Sequence, residues 1–505
     1  MSVELSQYFL VFLEVMSGLF LLFLGSGIMA IIIMYVIDVT QTKHAIRRNY
    51  PVVGRFRYIF EHLGEFFRQY FFAMDREELP FNRAERSWVY RAAKNVDNTV
   101  AFGTTRNLHA TGTVYFVNTP FPTLEEDATP TRAVTIGPNC LHPYTTEALF
   151  NISAMSFGAL SVPAIRALSR GAAQVGSWLN TGEGGLSKYH LEGGADIVFQ
   201  IGTAKYGVRN SSGGLSDDKL RKLSSHKSVK MIELKLSQGA KPGKGGILPG
   251  NKVTDEIAEI RGIPAGHDSI SPNRHPEIAS ADDLLDMLHH IRSVSGLPVG
   301  FKAVLGGYNW LDTLMQRIID RGIDKAPDFI TVDSAEGGTG AAPMALMDNV
   351  GLPLNESLPM LVDKLLEYGL KDRIRVIASG KLITPVEVAW ALCLGADFIN
   401  SARGNMFALG CIQAMQCNKN TCPTGITTHD PDLQKGLVVE DKAVRVANYI
   451  RNITHDVGMI AHSCGVGEPR ELKREHARVV ISNGSSMSLE DRYPYPVVER
   501  SNSAV

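Results

Sequence analysis

The stretch RVIASGKLITPVEVAWALCLGADFINSARG, residues 375–404, contains two short apolar runs, each ending in a glycine turn. The spacing predicts strands over Arg375–Ser379 and Asp397–Asn400 with a helix-length connection between them, the pattern of a parallel β-α-β unit. Working outward, six further runs obey the same rule: Leu149–Ala154, Ser177–Asn180, Asp196–Ile201, Val229–Leu234, Pro298–Ala303 and Asp328–Asp333. Nearly all run into polar or glycine-rich residues, among them SAMSFGALS, NTGEGG, ELKLSQGAKPGKGG and DSAEGGTGA. Eight such strands suffice to close an α/β fold of the (β/α)8 TIM-barrel kind. Its active sites are built from the loops at the C-terminal ends of the strands, with phosphate held after strands seven and eight. Gly380 and the Ser401-Ala402-Arg403-Gly404 turn therefore read as a phosphate cradle. Glycine permits close backbone approach, N–H groups bind the anion, and Arg403 adds charge.

Between strands four and five, Ser237–Leu297 is too long for an ordinary βα loop and reads as a lid or substrate loop. Its histidines, His267 and His275, read as surface or turn residues, and no paired-histidine metal spacing is present. Residues 75–148 read as a lead-in wrapping the barrel, with no chemistry of their own.

Three of the six cysteines crowd into Cys411-IQAMQ-Cys417-NKNT-Cys422. Reduced thiols at such density point to a soft metal or an iron–sulfur cluster rather than disulfides. From spacing alone, zinc held by three cysteines and a water, or three buried thiols, remain open.

With 44% hydrophobic residues among 505, the chain has apolar content for a large core and something more. A formal charge of -1 gives no reason to expect nucleic acid as a partner. Val15–Ile37 carries no charge and is long enough for a transmembrane helix; its flanks lack the basic start and small-residue cleavage site of a signal peptide. Lys43, Arg47, Arg48, Arg55 and Arg57 follow it, so the rest of the chain is expected in the cytoplasm, on a single-pass anchor. Arg55–Phe72 spaces Phe56, Ile59, Phe60, Leu63, Phe66, Phe67 and Tyr70 as an amphipathic helix, lying either on the main domain or in the membrane headgroup layer. The expected division is 1–42 anchor, 43–94 amphipathic helix and linker, 95–475 barrel with cysteine segment, and 476–505 tail.

Taken together, ISAMSFGALS, NTGEGG, ELKLSQGAKPGKGG, EGGTGA, LGADF and ALGC-x5-C-x4-CPTG resemble, in the same order, the FMN-binding synthase domain of the glutamate synthase large subunit over roughly residues 95–475. The resemblance implies an FMN-binding barrel with a three-iron four-sulfur (3Fe-4S) cluster on Cys411, Cys417 and Cys422. It implies that Ser153, Ala154, Met155 and Ser156 line the flavin and that Gln200 and Lys302 face its ring. Gly337, Gly338, Thr339, Ser379, Gly380, Ser401, Ala402 and Arg403 are implied to complete the cofactor site. Lys235 and Glu183 are the implied catalytic residues, with Gln238 and Lys241 binding the oxo acid. The implied reaction is reductive amination: 2-oxoglutarate and ammonia give 2-iminoglutarate, which reduced FMN converts to glutamate, the cluster refilling the flavin one electron at a time.

Departures from the family shift the expected partners. No cysteine precedes Cys140, so the family's N-terminal glutaminase nucleophile has no counterpart, and ammonia is expected from solution or a separate glutaminase subunit. The strand-six segment DSAEGGTGA departs from the family's SGHDGGTGA, which opens an N-methylglutamate-synthase-like activity. A membrane-bound redox or electron-transfer protein without aminating activity is the further alternative. No dinucleotide fingerprint follows a strand. The expected electron donor is thus a ferredoxin, a partner flavoprotein or a membrane carrier.

Overall fold

A computed structural model describes residues 2–129, 131–482 and 484–497, with the side chains of residues 2–6, 65 and 66 excepted. The chain forms two compact units, residues 1–84 and 85–505, a division falling inside the stretch read as helix and linker.

In the first unit, α1 (Ser2–Thr40) is long and apolar enough over Gln7–Thr40 to cross a membrane, and almost all its described side chains are exposed. Its uncharged run spans about 34 Å at 1.5 Å per residue, against a hydrocarbon thickness of about 30 Å. The amphipathic segment forms α2 (Gly54–Phe67), whose end widens into a π-helical turn over Arg68–Phe72. Its stripe of Phe56, Ile59, Phe60, Leu63, Phe67 and Tyr70 is exposed; the Phe66 side chain lies outside the described residues.

In the second unit, eight strands close a parallel barrel: β1 (Phe150–Ile152), β2 (Leu179–Asn180), β3 (Ile197–Ile201), β4 (Val229–Lys235), β5 (Val299–Ala303), β6 (Phe329–Asp333), β7 (Arg375–Ser379) and β8 (Phe398–Ser401). They read as continuous apolar runs because parallel strands covered by helices are buried on both faces; β3, β5 and β6 are buried throughout. The covering helices include α3 (Val162–Ala173), α4 (Asp217–Ser224), α5 (Ala281–Ser295), α6 (Asn309–Arg321), α7 (Leu354–Glu367) and α8 (Pro385–Cys393). After β8 come the short α9 (Arg403–Leu409) and the long α10 (Val439–Ser463).

Every expected strand is present, and the differences lie at the ends. β1 stops at Ile152, so the polar SAMS segment leaves the ladder for the mouth. Ser401 is the last residue of β8 and Arg403 the first of α9, so the stretch expected as a turn is a strand end feeding a helix start. The lead-in also does more than wrap. Its hairpin of Val134–Ile136 with Tyr144–Thr146 buries Ile136 and Tyr144 against Trp178, Val198, Phe329 and Phe398, at or beside the N-terminal ends of the strands. That end is plugged, so the opposite, C-terminal end is left for the site. The segment expected as a tail begins as a strand, Ala477–Ser482, pairing with Val114–Phe116 and Ser485–Ser488; residues 498–505 lie outside the described residues.

Candidate active site at the C-terminal mouth of the barrel

Strand register assembles the site. Lys235 on β4 lies opposite Lys302 on β5, and Asp333 on β6 opposite Ser379 on β7, itself opposite Asn400 on β8. Above them opens a cleft at the C-terminal mouth of the barrel. Its walls are Ser153 and Ala154 after β1, Gln238 after β4, and Lys302 at β5. Gly337 and Gly338 follow β6, Ser379 ends β7 with Gly380 after it, and Ser401 at the end of β8 with Ala402 and Arg403 beyond closes the circle.

The glycine arc leaves room that side chains would fill. Gly380 has φ +133°, and a Cβ there would lie 2.3 Å from the Ser334 Cβ; at Gly338 a Cβ would lie 2.9 Å from the Arg403 side chain. Arg403 donates to the Glu336 carbonyl at 2.6 Å. Burial lowers its pKa to about 10, against the pull of Asp333 and Glu336. Lys302 Nζ lies 3.8 Å from Asp333, whose carboxylate accepts from the Gly239 N–H and the Ser379 hydroxyl, each at 2.9 Å. Cations around a glycine-lined cleft fit a phosphorylated, anionic flavin.

Beside the cleft lies a second charged group. Lys235 Nζ donates to Glu183 Oε1 at 2.8 Å and to Gln238 Oε1 at 2.5 Å, and Gln238 Nε2 donates to the Gly338 carbonyl at 3.2 Å. Burial acts to raise the Glu183 pKa, but Lys235, Lys241 and Arg261 outweigh it and hold the carboxyl below its usual range. Room for Glu183 depends on two glycines: a Cβ at Gly202 would lie 2.6 Å from its Cβ, and one at Gly246 2.3 Å from Oε1. Burial, then repulsion from Lys235, lowers the Lys241 pKa to about 8.

Other expected residues sit away from the cleft wall. Gln200 is buried in the barrel, its Nε2 donating to Glu233 at 2.7 Å. The same carboxylate accepts from Asn180 Nδ2 at 2.9 Å and Thr331 Oγ1 at 2.6 Å. Met155 is buried, its carbonyl accepting from His190 Nε2 at 2.9 Å; Ser156 packs under Gly182 and Gly184. Thr339 donates to the Ala341 carbonyl at 3.4 Å. His267 is exposed as expected, whereas His275 is buried, with Nε2 bonded to the Lys235 carbonyl at 2.9 Å and its pKa lowered by burial to about 4. It braces the Lys235 backbone from the long interval, which also holds a two-stranded pair, Ile247–Leu248 with Ser269–Ile270, and a helix, Asp255–Arg261.

Sequence reading missed Asp333, Asn400 and the Glu233 network. One signal was available: in MIELK, alternation puts Glu233 on the same strand face as Lys235.

The cysteine loop is built differently. Cys411, Cys417 and Cys422 are free thiols. Among the described residues, no group of three or more His, Cys, Asp or Glu side chains has the geometry of a metal site. Burial raises the Cys411 thiol to about 12 and raises that of Cys417; Cys422 is lowered because hydrogen bonds with Thr424 and Thr427 outweigh burial. Gln413, Met415 and Asn420 hold positive φ of 59°, 56° and 61°, left-handed positions without glycine. Buried Lys252 ties the loop to the barrel by donating to the carbonyls of Ala159 at 2.8 Å, Thr427 at 2.9 Å and Cys417 at 3.3 Å. Three soft thiols within one loop are a donor set that suits iron–sulfur chemistry.

The sequence profile of the conserved region in glutamate synthase matches residues 117–467. Glutamate synthase large subunit-like protein YerD of Bacillus subtilis (strain 168) is 40% identical over 509 residues, covering 92% of this chain and 96% of that protein. The archaeal-type glutamate synthase (NADPH) of Thermotoga maritima is 35% identical over 323 residues, 64% of this chain; the match spans 60% of that relative's length. A glutamate synthase large subunit-like protein of Rhizobium meliloti (strain 1021) is 30% identical over 67% of this chain and 76% of its own. The barrel, its mouth and these matches lead to one statement: this chain belongs to the glutamate synthase family and is an oxidoreductase built on that family's FMN-binding barrel.

Proposed function

We propose that this chain is a reductive aminase, joining 2-oxoglutarate or a similar 2-oxo acid to an amine nitrogen to give glutamate. The observation that carries the reading is the hydrogen-bonded Glu183–Lys235–Gln238 group, with Lys241 nearby, beside a glycine-lined cleft. A dicarboxylate needs cations and amide donors to replace its water, and Lys235, Lys241 and Gln238 supply them. Ionised Glu183 accepts an N–H hydrogen bond from the incoming free ammonia and orients its lone pair toward the oxo carbon. Water leaves as the imine forms. Gly380, Ser401 and Arg403 would hold the FMN phosphate and the Lys302 cation would favour its reduced, anionic form; FMN, when bound, would supply the hydride for the imine carbon.

Cys411, Cys417 and Cys422 hold a 3Fe-4S cluster in this proposal, three thiolates matching a cluster one iron short of the cubane. Electrons come from a ferredoxin, a partner flavoprotein or a membrane carrier. Ammonia comes from solution or from a separate glutaminase subunit. α1 anchors the protein as a single pass, with the barrel in the cytoplasm, as the cations after it support.

A second reading changes only the amine. The Asp333–Ala341 segment departs from the family pattern over residues 333–336, and of these Asp333 lines the cleft; that departure motivates an N-methylglutamate-synthase-like use of methylamine. The deciding assay supplies chemically reduced ferredoxin and 2-oxoglutarate with ammonia, glutamine or methylamine in turn. Glutamate from ammonia supports the first reading, and N-methylglutamate from methylamine the second. No product from any amine, in protein retaining FMN and iron, would overturn both in favour of an electron-transfer protein.

A further inference from the structure

α1 ends in a built elbow. Asp38 is fully buried on a helix whose other described side chains are almost all exposed. Its carboxylate accepts from Arg55 Nε and Nη2, each at 2.8 Å, and from the Val52 N–H at 3.0 Å. Arg55 lies in the first turn of α2, so this fork ties the end of one helix to the start of the next. Val52, a β-branched residue, holds φ +67°, and a Cβ at Gly54 would lie 2.8 Å from the Ile46 carbonyl oxygen. The Arg47 guanidinium lies 4.6 Å from the Tyr58 ring centroid, and His44 meets the same ring edge-on at 5.3 Å. A strained backbone fixed by a buried ion pair and a stacked cation is an over-determined bend.

Beyond the elbow, α2 presents Phe56, Ile59, Phe60, Leu63 and Phe67 at helical spacing, all exposed, and the π-helical turn adds Tyr70, Phe71 and Phe72. Phe56 stacks with Phe60 at 6.4 Å and Phe67 meets Phe71 at 5.4 Å, making a continuous aromatic ridge. Arg57, Glu61 and His62 are exposed among the polar residues of the helix. Such a ridge starts sixteen residues past Thr40, beyond a segment apolar enough to span a bilayer, with Lys43, Arg47 and Arg48 between. Amphipathic helices with Phe and Leu on one face and charged residues on the other insert at the boundary of headgroups and acyl chains.

We propose that α2 lies in the interface of the same phospholipid bilayer that α1 crosses, its aromatic ridge seated among the upper acyl chains and its position fixed by the Asp38–Arg55 elbow. The inference rests on the reading of α1 as a membrane span.

The test is depth-dependent quenching in the full-length holoprotein, reconstituted into phosphatidylcholine and phosphatidylglycerol vesicles. Nitroxide labels are placed at the headgroup, the upper chain or the lower chain. The four native tryptophans lie at Trp88 and beyond, so Phe20→Trp and Phe60→Trp each add an indole whose emission is read by difference. For Phe60→Trp the strongest quenching is expected from the headgroup and upper-chain labels, and for Phe20→Trp from the lower-chain label. Asp38→Ala is expected to broaden the Phe60→Trp profile while leaving that of Phe20→Trp unchanged. Deep quenching of Phe20→Trp with none of Phe60→Trp overturns the inference alone. Absence of quenching in both overturns the membrane span as well. An unchanged Phe60→Trp profile in Asp38→Ala overturns the elbow's role.

Discussion

The barrel mouth and the cysteine loop both carry residues singled out by spacing, yet only the mouth holds its groups together unaided. Lys235, Lys302 and Asp333 ride on parallel strands, so the backbone ladder sets their positions, and hydrogen bonds from Lys235 to Glu183 and Gln238 complete the group. The cysteines ride on a loop without regular structure, through left-handed turns at Gln413, Met415 and Asn420, and their sulfurs form no metal-site geometry among the described residues. Strand-borne sites are preorganised by the fold. Loop-borne thiols take their positions from turns and from carbonyl contacts such as those of Lys252.

Four perturbations sharpen or break that contrast. The largest is expected from Lys235→Met, which removes the centre of the proposed substrate group. Steady-state kinetics should show turnover falling about 10²–10³-fold, and loss of the nearest cation to Glu183 should lower stability by about 3 kcal/mol in urea melts. Wild-type turnover in this variant would break the assignment of the mouth.

Next comes Cys417→Ser. Iron analysis and visible spectra should show the cluster gone and the flavin kept, because the loop and the mouth are held by different interactions. Joint loss of both would show that the loop supports the mouth after all. Gly380→Ala acts only on the mouth: a left-handed position and a 2.3 Å approach to Ser334 together cost about 1–3 kcal/mol, so FMN affinity by fluorescence titration should fall about ten- to hundredfold with iron retained.

The smallest effect is a pH dependence. Lys241, with its pKa lowered to about 8 by burial and then by Lys235, is charged below that value and neutral above it. The KM for the oxo acid should therefore rise as pH climbs through about 8, by up to about tenfold per pH unit. Lys241→Met should remove this rise; its survival in the variant would assign it to another group.

The eight strands were legible because parallel strands covered on both faces are predominantly apolar and because nearly all ran into polar or glycine-rich residues. Arg403 was legible for the same reason, being a charged group placed where an apolar run stops, whereas Lys235 and Gln238 came from the family resemblance of ELKLSQGAKPGKGG. Glu233 was not, since its value lies in three partners, Asn180, Gln200 and Thr331, contributed by other strands. Only register brings them together. The plug at the barrel's closed end escaped notice because Ile136 and Tyr144 sit in two short strands with no distinctive period. Ser401–Gly404 looked like a turn from its small residues, whereas ladder bonds carry β8 through Ser401 and α9 takes up the chain at Arg403.

The most direct test of the proposed chemistry is anaerobic stopped-flow mixing of the fully reduced protein with 2-oxoglutarate and ammonia, following flavin absorbance. Reoxidation only when both are present, with glutamate formed in proportion to flavin oxidised, is the expected result. A flavin that stays reduced with ammonia, glutamine and methylamine alike, in protein retaining FMN and iron, would contradict it.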